Sequence, residues 1–202
     1  MSSRDKILSA IKNNQPSLRE LPELPAGIPS AGEELVPKLI AVLEAIGGKV
    51  YTVSHVERIR QILHEEHPDA QRIISGCPGV SGLGEGVGED PHTLENVDLA
   101  ILPASFCVAE NGACWITEEQ MIMRVLPFIC QHLALVIDKK EVVANMHEAY
   151  ARIGDSSYGF GTFIAGPSKT ADIEQSLVLG AHGPRTMTLF LLDEALSDEG
   201  FY

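Results

Sequence analysis

The sequence predicts an α/β protein built on an open, mostly parallel sheet covered by helices, and three observations lead there. The chain has 202 residues, 45% of them hydrophobic, which suits one domain with a substantial core and a small appendage. Short apolar runs alternate with amphipathic segments of helical spacing, the order that parallel strands and helical crossovers require. Residues 97–102 (VDLAIL) form a near-continuous apolar run, suited to a strand buried on both faces of such a sheet.

The elements follow in order. Residues 3–12 place Ile7, Leu8 and Ile11 on one helical face, with Ser2 or Ser3 as N-cap. Pro16, Pro22, Pro25 and Pro29 then remove backbone donors and bias their predecessors to extended conformations, so residues 13–32 read as a surface linker. The chain thus divides into an appendage, 1–32, and an α/β domain, 33–202. Leu35, Leu39, Val42, Leu43 and Ile46 recur at helical spacing over 33–46, and Gly47-Gly48 supplies a stop. Residues 49–53 read as a strand, 56–66 as a helix ended by Pro68, and 72–75 as a short strand. Asn111-Gly112 marks a hairpin turn within 106–117. Strands are expected at 132–137, 161–165 and 186–192, with helices at 139–152 and 169–179 between them. No internal repeat is visible.

The net charge is −13, spread as nine cations against 15 acids in residues 1–100 and six against 13 afterwards. No basic footprint exists, which disfavours nucleic acid as a ligand. The first 20 residues contain no apolar run of the kind a secretory signal or a membrane span needs, so the expectation is a cytoplasmic chain without a membrane span. Cys77, Cys107, Cys114 and Cys130 include no CxxC pair and signal neither an iron–sulfur cluster nor structural zinc; they read as buried free thiols. No cofactor is expected on this chain.

Glycines 82, 84, 86 and 88 invite a nucleotide-binding reading, but none starts a GxGxxG, and the segment reads as a flexible acidic loop. Gly161 to Gly166 followed by Lys169 superficially resembles a P-loop, yet the lysine is two places late and the residues between the glycines form the strand itself. What remains is Gly166-Pro-Ser-Lys-Thr170 opening the expected helix 169–179, where free N–H groups, hydroxyls and Lys169 offer an anion site. Lys169 and Arg185 are the two cations after Arg152, and both fall in Gly-Pro loops. The alternative is purely local: turn residues, an N-cap at Ser168 or Thr170, and Arg185 paired with Asp172 or Glu174. A helix of ten to twelve residues spans roughly 15 to 18 Å, so the two loops are expected at opposite edges of the sheet. The GPSKT loop follows the carboxyl end of a strand, where open sheets usually bind ligands. Glu110 beside the hairpin turn is a candidate nucleophile or base, or a solvated turn acid. His64-Glu-Glu-His67 misses HExxH by one residue, and its histidines read as surface groups.

Ala109-Glu-Asn-Gly112, Arg124-Val-Leu-Pro127 leading to His132, GPSKTADIE at 166–174 and LVLGAHGPR at 177–185 together resemble the LUD domain of the lactate-utilisation protein C family. The resemblance is strong over about 95–193. The family usually has Ala-Glu-Thr-Gly where this chain has Ala-Glu-Asn-Gly. The resemblance implies an open sheet similar to the sugar-phosphate isomerase and CoA-transferase folds. It also implies a part in bacterial oxidation of L-lactate to pyruvate, an organic-acid catabolic step, as a subunit beside separate iron–sulfur subunits. The redox centre would then lie elsewhere.

Two other readings stand beside it. Ala-Glu-Asn-Gly is similar to the Ser-Glu-Asn-Gly motif of some CoA-transferases, which would make Glu110 a covalent nucleophile. Alternatively the domain serves protein interaction, with its HGPR loop in a homodimer or partner interface. Candidate ligand-binding residues are Ser168, Lys169, Thr170, Asp172, His182, Arg185, Arg124 and Asn111, the ligand being a small carboxylate or phosphate. Glu110 is the candidate catalytic residue, and no metal ligands are assigned.

Overall fold

The computed structural model describes residues 2–20, 34–80, 87, 90–171 and 177–193. Its main sheet has five parallel strands in the order β1-β11-β6-β3-β2: β1 Lys49–Val53, β2 Ile73–Ser75, β3 Leu99–Pro103, β6 His132–Asp138 and β11 Thr186–Leu192. Successive side chains leave opposite faces of a strand, so the apolar runs feed two cores. Leu133, Leu135, Ile137, Met187, Leu189 and Leu191 join helix α2 (Leu35–Ala45) through Leu39 and Leu43. Ala134, Val136, Phe190 and Leu192 join helix α3 (Val56–Glu66) through Ile59, Ile62 and Leu63. Leu39 and Leu43 are fully buried, and truncating either to Ala costs about 2–5 kcal/mol.

A second, four-stranded sheet runs β7-β4-β5-β8, with β4 Phe106–Val108, β5 Cys114–Thr117, β7 Val142–Val143 and β8 Gly161–Ile164. The β4–β5 pair is antiparallel and closes through Asn111-Gly112 as expected. Asn111 Oδ1 accepts from Ala113 N at 3.0 Å, and Gly112 takes φ +73, which a residue without Cβ adopts freely. Helix α5 (Met146–Ile153) covers this sheet through Ala149 and Ile153. The short helix α4 (Leu126–Ile129) leads into β6.

Four expectations are corrected. The helix foreseen at 139–152 is split: β-branched Val142-Val143 pairs with β4, and the helix starts only after Asn145, whose side chain caps Glu148 N at 3.0 Å. The strand at 161–165 pairs antiparallel with β5 and so belongs to the second sheet, not to a βαβ unit with β11. The segment 169–179 is not the foreseen helix. It holds β9 (Lys169–Ala171) and β10 (Leu177–Leu179), an antiparallel pair with Lys169 opposite Leu179. Apolar groups in so short a run satisfy helical and extended periods alike, so periodicity does not decide between them. Finally, Cys107 and Cys114 are not free: they are register partners across β4–β5, 4.1 Å apart at Cα, and form a disulfide. Cys77 and Cys130 are free and buried, and burial pushes both thiols up to about 12.

Helix α1 (Ser3–Asn13) begins as read, with a capping box between Ser2 and Asp5, and it buries no residue. Residues 15–20, including Pro16, have no regular structure. Pro22, Pro25, Pro29 and the four glycines 82, 84, 86 and 88 lie outside the described residues. Among the described residues no helix is long and apolar enough to cross a membrane.

Candidate functional site

Parallel strands all start at one edge, so the polar residues that open them are gathered there. Lys49 opens β1, Arg72 precedes β2, Asp98 precedes β3, His132 opens β6, and Arg185 precedes β11. Helix α3 returns to the same edge and ends in Glu66, with His67 as its C-cap. Between these groups lies a cleft of about 330 Å³, lined by Glu66, His67, Asp98, Gln131, His132 and Arg185 among others. Backbone bonds fix its floor: Arg185 N donates to Gln131 O at 2.8 Å, Gln131 N to Val97 O at 3.1 Å and His132 N to Asp98 O at 2.8 Å.

The two imidazoles stack with centroids 4.0 Å apart and planes 29° apart. His132 Nδ1 lies 2.8 Å from Thr186 Oγ1. Burial lowers the His132 pKa from its ordinary value and Arg185 lowers it further, with Asp98 opposing. For His67, burial again leads and His132 adds to it, while Glu66 opposes. Both rings are therefore held neutral at pH values where a solvated histidine is partly charged.

Three acids line the cleft; Asp69 is exposed at its rim, while Glu66 and Asp98 are engaged by the protein itself. Glu66 Oε1 accepts from Lys49 Nζ at 2.7 Å and from Tyr51 OH at 2.6 Å. Burial pushes Glu66 up, but these bonds outweigh it and leave its pKa lowered. Asp98 Oδ2 accepts from Arg72 N and Gln71 N at 2.9 Å each, and these bonds lower its pKa. The cleft thus brings the Arg185 guanidinium and two imidazoles of lowered pKa beside Glu66 and Asp98, which are bonded within the protein, and the exposed Asp69.

The sequence-derived residues divide between places. Arg185 lines the cleft; His182 is exposed in the same loop. Ser168 N donates to Pro184 O at 2.9 Å and Gly180 N donates to Ser168 O at 3.1 Å, so the GPSKT and HGPR loops touch. A Cβ on Gly183 would stand 3.0 Å from Ser168 Cβ, so glycine is what permits this approach. The expected separation of the loops is thereby overturned, because an antiparallel β9–β10 pair brings its ends back together where a helix would carry them apart. The helix N-terminus invoked for an anion at Ser168, Lys169 and Thr170 is likewise absent: Lys169 and Thr170 are in β9, and Lys169 Nζ lies beside Gly47. Asp172 and Glu174 lie outside the described residues.

Arg124 holds Glu118 through two bonds, 2.6 and 2.8 Å, and lies over the Phe160 ring at 5.5 Å, away from the cleft lining. Glu110 and Asn111 are exposed on the β4–β5 turn, and Glu110 Oε2 accepts from Met146 N at 3.0 Å, tying the hairpin to the start of α5. His64 is exposed as read, but His67 is half-buried against His132 and is corrected from a surface group to a cleft residue. His67, Glu66, Asp98 and Gln131 were missed as site residues. The available signal was their position, since each stands just before or at the start of a buried parallel strand, or at the end of the helix that returns to that edge.

A parallel sheet with helices on both faces and polar groups collected along one edge places the molecule among the open-sheet α/β proteins. The crystal structure of a DUF162 family protein from Deinococcus radiodurans shares this fold, with a TM-score of 0.58 and 17% identity over 79% of this chain and 96% of that one. The LUD domain family model matches residues 85–192, and the chain belongs to that family. Among its relatives, lactate utilization protein C of Geobacillus kaustophilus is 31% identical over 168 residues, 78% of this chain and 68% of that protein. The Geobacillus thermodenitrificans protein of the same name is 26% identical over 193 residues, 90% of this chain and 76% of its own. The match to the Bacillus pumilus protein, also so named, is 30% over 112 residues and spans about half of its length, 47%. Asp98, Gln131, His132 and Arg185 fall inside the family match; Glu66 and His67 fall outside it.

Proposed function

We propose that this chain acts in lactate utilisation as a cytoplasmic subunit of an L-lactate-oxidising assembly. Lactate becomes pyruvate with the loss of two electrons and two protons, and separate iron–sulfur subunits take the electrons. The observation that carries the reading is the match to lactate utilization protein C of Geobacillus kaustophilus across 78% of this chain. The cleft supports it physically. In a chain of net charge −13, a small carboxylate needs a local cation, and the cleft supplies Arg185, with Glu66 and Asp98 already bonded within the protein.

The test is mild purification of the tagged chain from its native cells grown on lactate, with growth of a deletion strain alongside. Iron–sulfur proteins are expected to co-elute, and the deletion strain is expected to lose growth on lactate and regain it with the intact gene. Growth unaffected by the deletion, with no iron–sulfur protein co-eluting, sinks the reading.

A further inference from the structure

The second sheet ends in a strand, β8, whose outer side is open. Glu118 N donates to Phe160 O at 2.8 Å, just beyond the last register pair of β5 and β8, Thr117 with Gly161. Opposed residues of an antiparallel pair alternate between bonded and unbonded, so Thr162 and Ile164 bond to β5, while the N–H and C=O groups of Gly161 and Phe163 point away from it. Among the described residues β8 pairs with β5 alone, and the one further bond at these outward groups is donated by Thr162 Oγ1 to Phe163 O at 3.4 Å. Exposed strand edges attract further strands, and proteins guard them with charge, proline, bulges or brevity. The other edges of the two larger sheets are guarded in this way: β1 opens with Lys49, β2 has three residues after Arg72, and β7 has two after Lys139-Lys140-Glu141. Strand β8 contains no charge, no proline and no break in register. It lies within residues 156–168, SSYGFGTFIAGPS, thirteen in a row without Asp, Glu, Lys or Arg.

Aromatic rings run up to this edge. Phe163 lies 4.7 Å from Trp115 and 6.0 Å from Tyr150 between centroids, and Trp115 lies 5.3 Å from Tyr158. Tyr150 is 63% exposed. Such rings gain on losing water and are enriched where proteins meet. We propose that β8 is the edge through which two copies of this chain join, antiparallel about a twofold axis, so that the second sheet continues from one copy into the other with these rings along the seam. Two observations select a second copy as the occupant. An antiparallel join about a twofold uses the same strand twice, so the outward groups of Gly161 and Phe163 meet an identical set, donor to acceptor, and no foreign sequence is required. Each copy also carries a net charge of −13, which opposes approach except where the surface is free of charge, as residues 156–168 are. Arg152, over the Phe106 ring at 5.0 Å, is bonded to Glu141 and adds no open charge beside the seam. A foreign strand of either charge finds no counter-charge at this edge to select it.

Sedimentation of the full chain from low to high micromolar concentration, with amide hydrogen exchange read residue by residue by NMR, tests this. The mass is expected to rise from that of one chain to that of two, and more readily in added salt, which screens the like charges. The Thr162 and Ile164 amides, bonded to β5, are expected to be protected at every concentration, and those of Gly161 and Phe163 only as the dimer forms. Ala165→Lys and Tyr150→Lys, both at exposed positions, set like charges near each other across the twofold. Each is expected to weaken the dimer by about tenfold to hundredfold while leaving the melting temperature of the monomer unchanged. A chain that stays monomeric at high micromolar concentration overturns the inference. So does a dimer that neither lysine weakens, or a dimer in which the Gly161 and Phe163 amides exchange freely. A monomer in which those two amides are protected overturns it as well, because the chain's own residues would then cover the edge.

Discussion

The amino edge of the parallel sheet and the tip of the β4–β5 hairpin both carry acids in polar company, yet only the first forms a cleft around them. At the sheet edge, Glu66 is buried down to 11% side-chain exposure and bound by Lys49 and Tyr51, and two imidazoles lose the water that would charge them. At the hairpin tip, Glu110 is exposed and spends one oxygen on Met146 N at the start of α5. The lesson is that removal of water, more than residue type, turns side chains into a chemical environment. A carboxylate in solvent docks a helix; under cover, loss of water lowers the imidazole pKa values even against the pull of nearby carboxylates.

Stability separates the two regions most sharply. Glu66→Ala strands the Lys49 amine and the Tyr51 hydroxyl and is expected to cost about 1.5–3 kcal/mol in urea unfolding. Glu110→Ala removes one exposed bond at a helix start and is expected to cost about 0.5–1 kcal/mol. Equal costs would erase the distinction. The same Glu110 variants examine the acyl-transfer alternative: Glu110→Gln is expected to leave lactate-dependent growth intact, and CoA exchange by the unaltered chain that this substitution abolishes would move the chemistry to the hairpin.

A smaller effect follows from the imidazoles. His67 and His132 have folded-state pKa values below the ordinary 6.5, so the unfolded chain binds more protons and stability falls as pH drops below about 6.5. Glu66 and Asp98, also lowered, contribute stability above the ordinary carboxylate range and lose it only at more acidic pH. Melting curves between pH 7 and about 4.3 are therefore expected to flatten in the His67→Gln/His132→Gln double variant, while the steep loss at lower pH remains. An unchanged slope in that window would mean the rings are solvated and the two regions are alike.

Much of the sheet was legible because a parallel strand buried on both faces has to be largely apolar, as 99–102, 133–137 and 189–192 are. The hairpin was legible through Asn111-Gly112, whose turn chemistry is local. The strand at 161–165 was legible as a strand, but its partner was not, because pairing with β5 is decided by contacts some 45 positions away in sequence. Residues 169–171 and 177–179 failed for a local reason, runs too short for their period to choose between helix and strand. Of the cleft, Arg185 was visible as a rare cation in a Gly-Pro loop. His67 was not, because its significance comes only from stacking on a ring 65 positions later.

The most direct measurement is a proton NMR titration of the imidazole C–H signals with L-lactate. Of the seven histidines, His67 and His132 are expected to shift and saturate together, while exposed His64 and His147 stay still, and Arg185→Ala is expected to abolish the response. No shift at His67 and His132, or a shift that survives Arg185→Ala, would contradict the reading of this cleft as the anion site that supports the proposed function.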